Sequence, residues 1–193
     1  MYEVEIKVPA AIDRVRDRLA AIGATQIDAR RQQDVYYDAP HRRFAETDEA
    51  LRIRHETPLV GGLDSAASGD ETTKVTYKGP LMDAGSKTRA EHETAVADGA
   101  AIAGVFDGLG FEPAATVEKR REFWSYAEFT VTLDRVESVG EFVEIERTVA
   151  DETAIGSTRE QALAALEQFG LDGDDQIRTS YLELLLEGRQ DNA

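Results

Sequence analysis

Residues 2–8 alternate charge and hydrocarbon without a break, placing Glu3, Glu5 and Lys7 at every second position between Val4, Ile6 and Val8. Successive side chains of a β-strand point to opposite faces, so a strand here has one wholly charged side and one wholly apolar side. The pattern returns in Leu51-Arg-Ile-Arg54, Lys74-Val-Thr-Tyr-Lys78, Arg89-Ala-Glu-His-Glu93, Lys119-Arg-Arg121 and Phe142-Val-Glu-Ile-Glu146. A sandwich with its charged faces in solvent accommodates such ladders. So does a closed barrel with the charges inside and helices over an apolar exterior. Apolar stripes at helical spacing over 9–22, 100–109, 158–169 and 179–186 supply those helices and favour the barrel.

Strands are predicted at 2–8, 25–38, 50–57, 73–79, 88–96, 114–125, 128–136 and 141–149, enough to close a barrel with a filled or ligand-sized interior. Strands and helices together make the chain α+β in one domain over 1–193, with sandwich and barrel both still open. The stretch 58–73, with Gly61, Gly62, Ser65, Ser68 and Gly69, reads as a long mobile hairpin tip, with a lid as the alternative. A faint repeat relates Glu3-x-Glu5, followed by a helix ending at Ile22-Gly23, to Glu91-x-Glu93, followed by one ending at Leu109-Gly110. Glycine is a common helix stop, and Gly170 after Phe169 follows the same rule.

The chain has no cysteine, which excludes disulfides and thiolate metal sites. No apolar run approaches the roughly 20 residues of a membrane helix, and no basic leader precedes the first strand, so a soluble cytoplasmic protein is expected. A formal charge of -16 argues against nucleic acid or an anionic membrane as partner. With 5 lysines against 17 arginines and abundant acids, the surface suits work in high salt, with an acidic protein of ordinary salt as the alternative. Yet Lys7, Lys74, Lys78 and Lys119 all fall within the ladders.

Together the ladders carry the acids Glu3, Glu5, Glu91, Glu93, Asp134, Glu144 and Glu146, and the bases Lys7, Arg52, Arg54, Lys74, Lys78, Arg89, Lys119 and Arg121. An interior with both signs must be solvated, internally paired or completed by a ligand of mixed character. A polyphosphate carrying Mg²⁺ (or Mn²⁺) fits, since carboxylates take the hard cation while guanidinium and ammonium groups take phosphate oxygens.

Glu3-Val-Glu-Ile-Lys7 resembles the ExExK signature of the CYTH superfamily, the triphosphate tunnel enzymes. The resemblance continues in order through Asp34-Val-Tyr-Tyr-Asp38-Ala-Pro40, Ala50-Leu-Arg-Ile-Arg54, Thr76-Tyr-Lys-Gly-Pro80, Lys87-Thr-Arg-Ala-Glu91, Lys119-Arg-Arg121, Leu133-Asp134 and Gly140-Glu-Phe-Val-Glu-Ile-Glu146. It favours the barrel over the sandwich and implies an eight-stranded antiparallel closed tunnel with a polar interior and helices outside, with Glu3, Glu5, Asp134, Glu144 and Glu146 as metal ligands. It further implies that Lys7, Arg52, Arg54, Lys78, Arg89, Lys119 and Arg121 hold the triphosphate, with Lys7, Glu5 and Glu144 catalytic. Lys74 shares a strand face with Lys78 but lies outside the tighter motif. Glu91 and Glu93 are read as binding metal or neutralising nearby arginines, the second being favoured. Homodimers occur among similar proteins, although no coiled-coil pattern supplies an interface here.

The segments around Asp34, Thr76 and Gly140 look most like class IV adenylate cyclases, which turn ATP into cyclic AMP and pyrophosphate. A triphosphatase acting on thiamine triphosphate or tripolyphosphate, and a non-catalytic polyphosphate or nucleotide sensor, are the alternatives. Some bacterial cyclases of this class carry a His-Phe pair several residues before ExExK, and this sequence has none there. His41, His55 and His92 share no metal-ligand spacing, Asp172-Gly-Asp-Asp175 lacks a full calcium-loop pattern, and at most one of Tyr36 and Tyr37 points inward.

Overall fold

The computed structural model describes residues 2–81 and 89–190, so Lys87 and Thr88 of the expected motifs and strands lie outside the described residues. Eight antiparallel strands form a closed barrel: β1 (Tyr2–Pro9), β2 (Thr25–Asp38), β3 (Ala50–Pro58), β4 (Thr72–Leu81), β5 (Arg89–Val96), β6 (Glu112–Tyr126), β7 (Phe129–Val136) and β8 (Gly140–Val149). Their order around the barrel is β1-β5-β4-β3-β2-β6-β7-β8. Helices α1 (Ile12–Ala21), α2 (Gly99–Gly108), α3 (Ile155–Gln168) and α4 (Tyr181–Gln190) cover the expected apolar stripes.

Alternation decides what faces where. Val4, Ile6 and Val8 point out of the barrel, as do Val131, Leu133, Val143 and Ile145, and all are fully buried or nearly so. Ile6, Val8 and the four residues of β7 and β8 join one core with Ile12, Val15 and Leu19 of α1 and Ala162 and Leu166 of α3. Hydrocarbon is thus removed from water on the outside of the sheet, which frees the inside for charge.

Each half of the chain runs strand, helix, strand, strand, strand, from β1 to β4 and again from β5 to β8. The glycine stops at Gly23, Gly110 and Gly170 all have φ near +80°, and the next N–H reaches back to Leu19, Phe106 and Leu166 respectively. Such left-handed closure satisfies orphan carbonyls at a helix end. Because α3 uses it too, the glycines do not themselves mark a repeat.

The 58–73 segment is not a free tip. Leu59 and Leu63 are buried, and Leu63 belongs to the main core. Arg120 on the outer face of β6 donates to the carbonyls of Leu63 and Ser65 at 2.7 Å each. The buried Glu122 carboxylate accepts from Leu63 N–H at 3.2 Å, from Arg16 of α1 at 2.9 Å and from Trp124 Nε1 at 3.3 Å. Polar anchors on alternate positions of one strand therefore pin the loop to the outer wall, a pairing invisible to composition. Truncating Leu63 to Ala is expected to cost about 2–4 kcal/mol in denaturant unfolding, where a mobile tip would give a change near zero.

Candidate functional site

A cavity of about 780 Å³ occupies the barrel interior, lined by the charged ladders. Glu3, Glu5, Arg52, Arg54, Lys74, Lys78, Arg89, Glu91, Glu93, Lys119, Arg121, Glu144 and Glu146 all reach it. Strand pairing, more than sequence spacing, sets their heights. Glu5 of β1 lies directly opposite Glu146 of β8, and Lys7 opposite Glu144, while Glu144 and Glu146 face Thr132 and Thr130 of β7.

Like charges directly opposite each other destabilise a sheet. Here three of them converge: carboxylate oxygens of Glu5, Glu144 and Glu146 lie within 4.8 Å of one another. Burial, then the proximity of Glu3, Glu144 and Glu5, pushes the Glu146 carboxyl up to about 8 despite Arg121 nearby. Thr132 Oγ1, facing Glu144 across the β7–β8 ladder, is buried and has no hydrogen-bond partner among the described residues. Hard oxygen donors, excess negative charge and an unsatisfied hydroxyl are what a divalent cation of the Mg²⁺ type would complete.

The pH consequence has a definite sign. A carboxyl raised to about 8 binds more protons folded than unfolded between its ordinary 4.5 and 8, so its contribution to metal-free stability falls as pH rises through that window. Metal binding at neutral pH is expected to expel close to one proton from this group, measurable by calorimetry in buffers of different ionisation enthalpy. Metal binding without proton release would place the ion elsewhere.

The other expected carboxylate ligands are each engaged by a cation, Glu3 close to the trio and Asp134 behind Arg121. Glu3 accepts from Lys78 at 3.0 Å, and the same ammonium pairs with Glu91 at 2.7 Å. Asp134 is wholly buried, clasped by both arms of the Arg121 guanidinium and by the Tyr181 hydroxyl at 2.8 Å. Neither Asp134 nor Lys7 lines the cavity. Lys7, only 1% exposed, donates to the Thr179 carbonyl and lies 4.2 Å from the Tyr181 ring centroid. The C-terminal segment entering α4 thus covers one end of the β1 ladder.

The remaining cations form a wall. Arg54 grips Asp34 through two bonds of 2.5 and 2.7 Å. Burial favours the protonated Asp34 acid, but Arg54 and Arg52 hold its carboxyl well below the usual range. Arg52 Nε is buried with no partner among the described residues. Burial and the neighbouring Arg121 push Lys119 down to about 7, so an anion placed here would gain by restoring its full charge. Lys74 lies 3.1 Å from Glu93 and 3.7 Å from Glu56, so the ion-pair partners of Glu93 and Glu91 are lysines where arginines were expected.

Sequence reading missed part of the inward face of β2, where Asp28, Arg30 and Gln32 line the cavity beside Tyr36 and Asp34 braces it. The period-two signal was present in 28–36, but polar residues on both faces at Arg31 and Gln33 concealed it. Tyr36 points in, while Tyr37 packs edge-on against Phe106 of α2 at 5.1 Å. The histidines do not reach the cavity: His55 hydrogen-bonds Glu71 at 3.0 Å, and His92 stacks on Tyr77. Asp172 caps the backbone N–H of Asp174 at 2.9 Å, as an ordinary turn does.

The CYTH domain profile matches residues 1–181. A Methanocaldococcus jannaschii protein provisionally named an adenylate cyclase is 36% identical over 187 residues, spanning 95% of this chain and 98% of its own. Adenylate cyclase CyaB of Aeromonas hydrophila is 28% identical, with 95% and 88% covered. The solved structure of the PH1819 protein from Pyrococcus horikoshii superposes with a TM-score of 0.85 at 36% identity, covering 96% of this chain and 98% of that one. A closed barrel with a charged interior, an ordered set of motifs and a profile spanning nearly the whole chain agree: the chain belongs to the CYTH domain family.

Proposed function

We propose that this chain is a metal-dependent enzyme acting on a triphosphate, and specifically an adenylate cyclase that converts ATP to cyclic AMP and pyrophosphate. The carrying observation is the three-carboxylate cluster of Glu5, Glu144 and Glu146 facing a wall of arginines and lysines in one cavity of about 780 Å³, a size that accommodates a nucleotide. The names of the two relatives favour cyclase chemistry over hydrolysis.

In this reading Glu5, Glu144 and Glu146 hold Mg²⁺ or Mn²⁺, with Glu3 adjacent on the same face of β1. The ion, when bound, supplies Lewis acidity that lowers the pKa of the ribose 3′-hydroxyl and stabilises charge on the departing group. Arg52, Lys78, Arg89, Lys119 and Arg121 bind phosphate oxygens and position the α-phosphorus. The 3′-hydroxyl gives up its proton to solvent water, its oxygen bonds to that phosphorus as the bond to the α–β bridging oxygen breaks, and pyrophosphate leaves. Arg54 acts through its clasp on Asp34, which fixes the strand wall behind Arg52. Preorganised cations of this kind stabilise developing charge without reorganising during the reaction.

Incubating the purified protein with ATP, thiamine triphosphate or tripolyphosphate, with Mg²⁺ or Mn²⁺ at low and molar salt, and resolving the products by ion exchange tests this. Cyclic AMP with stoichiometric pyrophosphate is the expected result. Orthophosphate without cyclic AMP would replace the cyclase with a triphosphatase, and tight binding without turnover would leave a sensor.

A further inference from the structure

The segment 39–49, which joins β2 to β3, carries His41-Arg42-Arg43, a basic run outside every strand of a chain whose formal charge is -16. Its two arginines are used differently. Arg42 is engaged by its own segment, 5.0 Å from the Phe44 ring centroid and 3.3 Å from Glu49. Arg43 is exposed and lines the cavity. Every other arginine or lysine lining the cavity forms an ion pair, as Arg30 does with Glu56 and Arg89 with Asp48. The Arg43 guanidinium alone has no hydrogen bond or ion pair among the described residues. The next residue fixes where that side chain starts. Phe44 is buried, its N–H donates to Asp38 at 2.9 Å, and its ring meets the Tyr77 ring edge-on at 6.4 Å.

A cation paired inside the tunnel has much of its field cancelled by its carboxylate, whereas an unpaired guanidinium at the mouth keeps its own. The difference matters here because the approach is acidic. Asp38, Glu46 and Asp48, near neighbours of Arg43 in the chain, line the cavity as well, and the net charge of the whole chain repels a polyanion from further off. Charges at the rim of a binding site act chiefly on the rate of association and on its salt dependence. We propose that Arg43 is the entry residue of the tunnel, meeting the polyphosphate at the mouth before it reaches the paired cations inside. Its part belongs to the approach, while Arg52, Lys78, Lys119 and Arg121 hold the bound ligand. The inference rests on the ATP reading above and adds to it a residue that lies on no charged strand ladder.

Stopped-flow mixing with a ribose-labelled fluorescent ATP and Mg²⁺ gives the association rate constant, and a chase with excess unlabelled ATP gives the dissociation rate constant. At low ionic strength Arg43→Ala is expected to slow association at least about fivefold while dissociation stays within about twofold of the parent's. At about 1 M salt, where screening shortens the reach of a charge to about 3 Å, variant and parent are expected to associate within about twofold of each other. Arg43→Lys restores the charge and should keep association within about twofold of the parent's. Arg14→Ala removes an equal charge from an exposed position on α1 away from the cavity and should leave it unchanged. Faster dissociation at unchanged association would make Arg43 a contact of the bound state, and an equal slowing in Arg14→Ala would make the effect one of net charge. Either result overturns the entry role, as does no change in Arg43→Ala. Binding of the probe by the parent is scored first. Its absence would overturn the ATP reading and the entry role together, whereas binding with an unmoved association rate overturns the entry role alone.

Discussion

Glu144→Gln is expected to abolish metal-dependent turnover, by about 10³-fold or more, equivalent to about 4 kcal/mol of transition-state stabilisation. The change preserves shape and can still accept the bond from Arg121 that Glu144 receives now. What it removes is one of three carboxylates whose oxygens lie within 4.8 Å of one another. A divalent ion needs that charge as much as the geometry, because hard cations select anionic oxygen donors. The Glu5 and Glu146 pair facing across β1 and β8 would remain, with weaker hold on the ion. Turnover and Mn²⁺ affinity should fall together while circular dichroism stays that of the parent. Full activity would take Glu144 out of the site and leave the cluster as a structural curiosity of the barrel.

Asp134→Ala is expected to act on stability first, at about 3–5 kcal/mol, the cost of breaking a buried ion pair by deleting one partner. Asp134 receives both arms of Arg121 and the Tyr181 hydroxyl, with Lys119 a further 3.8 Å away. Without it the Tyr181 hydroxyl loses its acceptor, Arg121 keeps Glu144, and the seat of α4 loosens. Denaturant unfolding measures the loss. Metal affinity measured on the folded fraction decides Asp134's role: unchanged affinity with lost stability makes it the anchor of Arg121 and Tyr181. Unchanged stability with lost metal would make it the ligand that family resemblance implies.

The strands were legible because each carries its own signal. Alternation at Glu3-x-Glu5-x-Lys7 or Glu144-x-Glu146 is local, and local propensity and tertiary burial agree there. Where a strand is polar on both faces, as along Arg31 and Gln33 of β2, the signal dims and the inward-facing Arg30 and Gln32 escape notice. The 58–73 loop was misread for a different cause. Its glycines and serines have the composition of a free tip, while the residues that hold it down, Arg120 and Glu122, sit about sixty positions away on β6.

Sequence by itself therefore determined which side chains share a face, the chemistry of that face and, through the ordered motifs, the family. It could not determine which of those side chains meet. A period of two fixes the side of a strand but says nothing of height along the barrel, which depends on register between strands far apart in the chain. Register put Glu5 against Glu146 and left Glu3 to Lys78. It also let Thr179, 172 positions from Lys7, cover the last residue of the leading motif. Charges on one ladder become a metal site or a salt bridge according to the few ångströms that only tertiary packing sets, because Coulombic and coordination energies depend on distance.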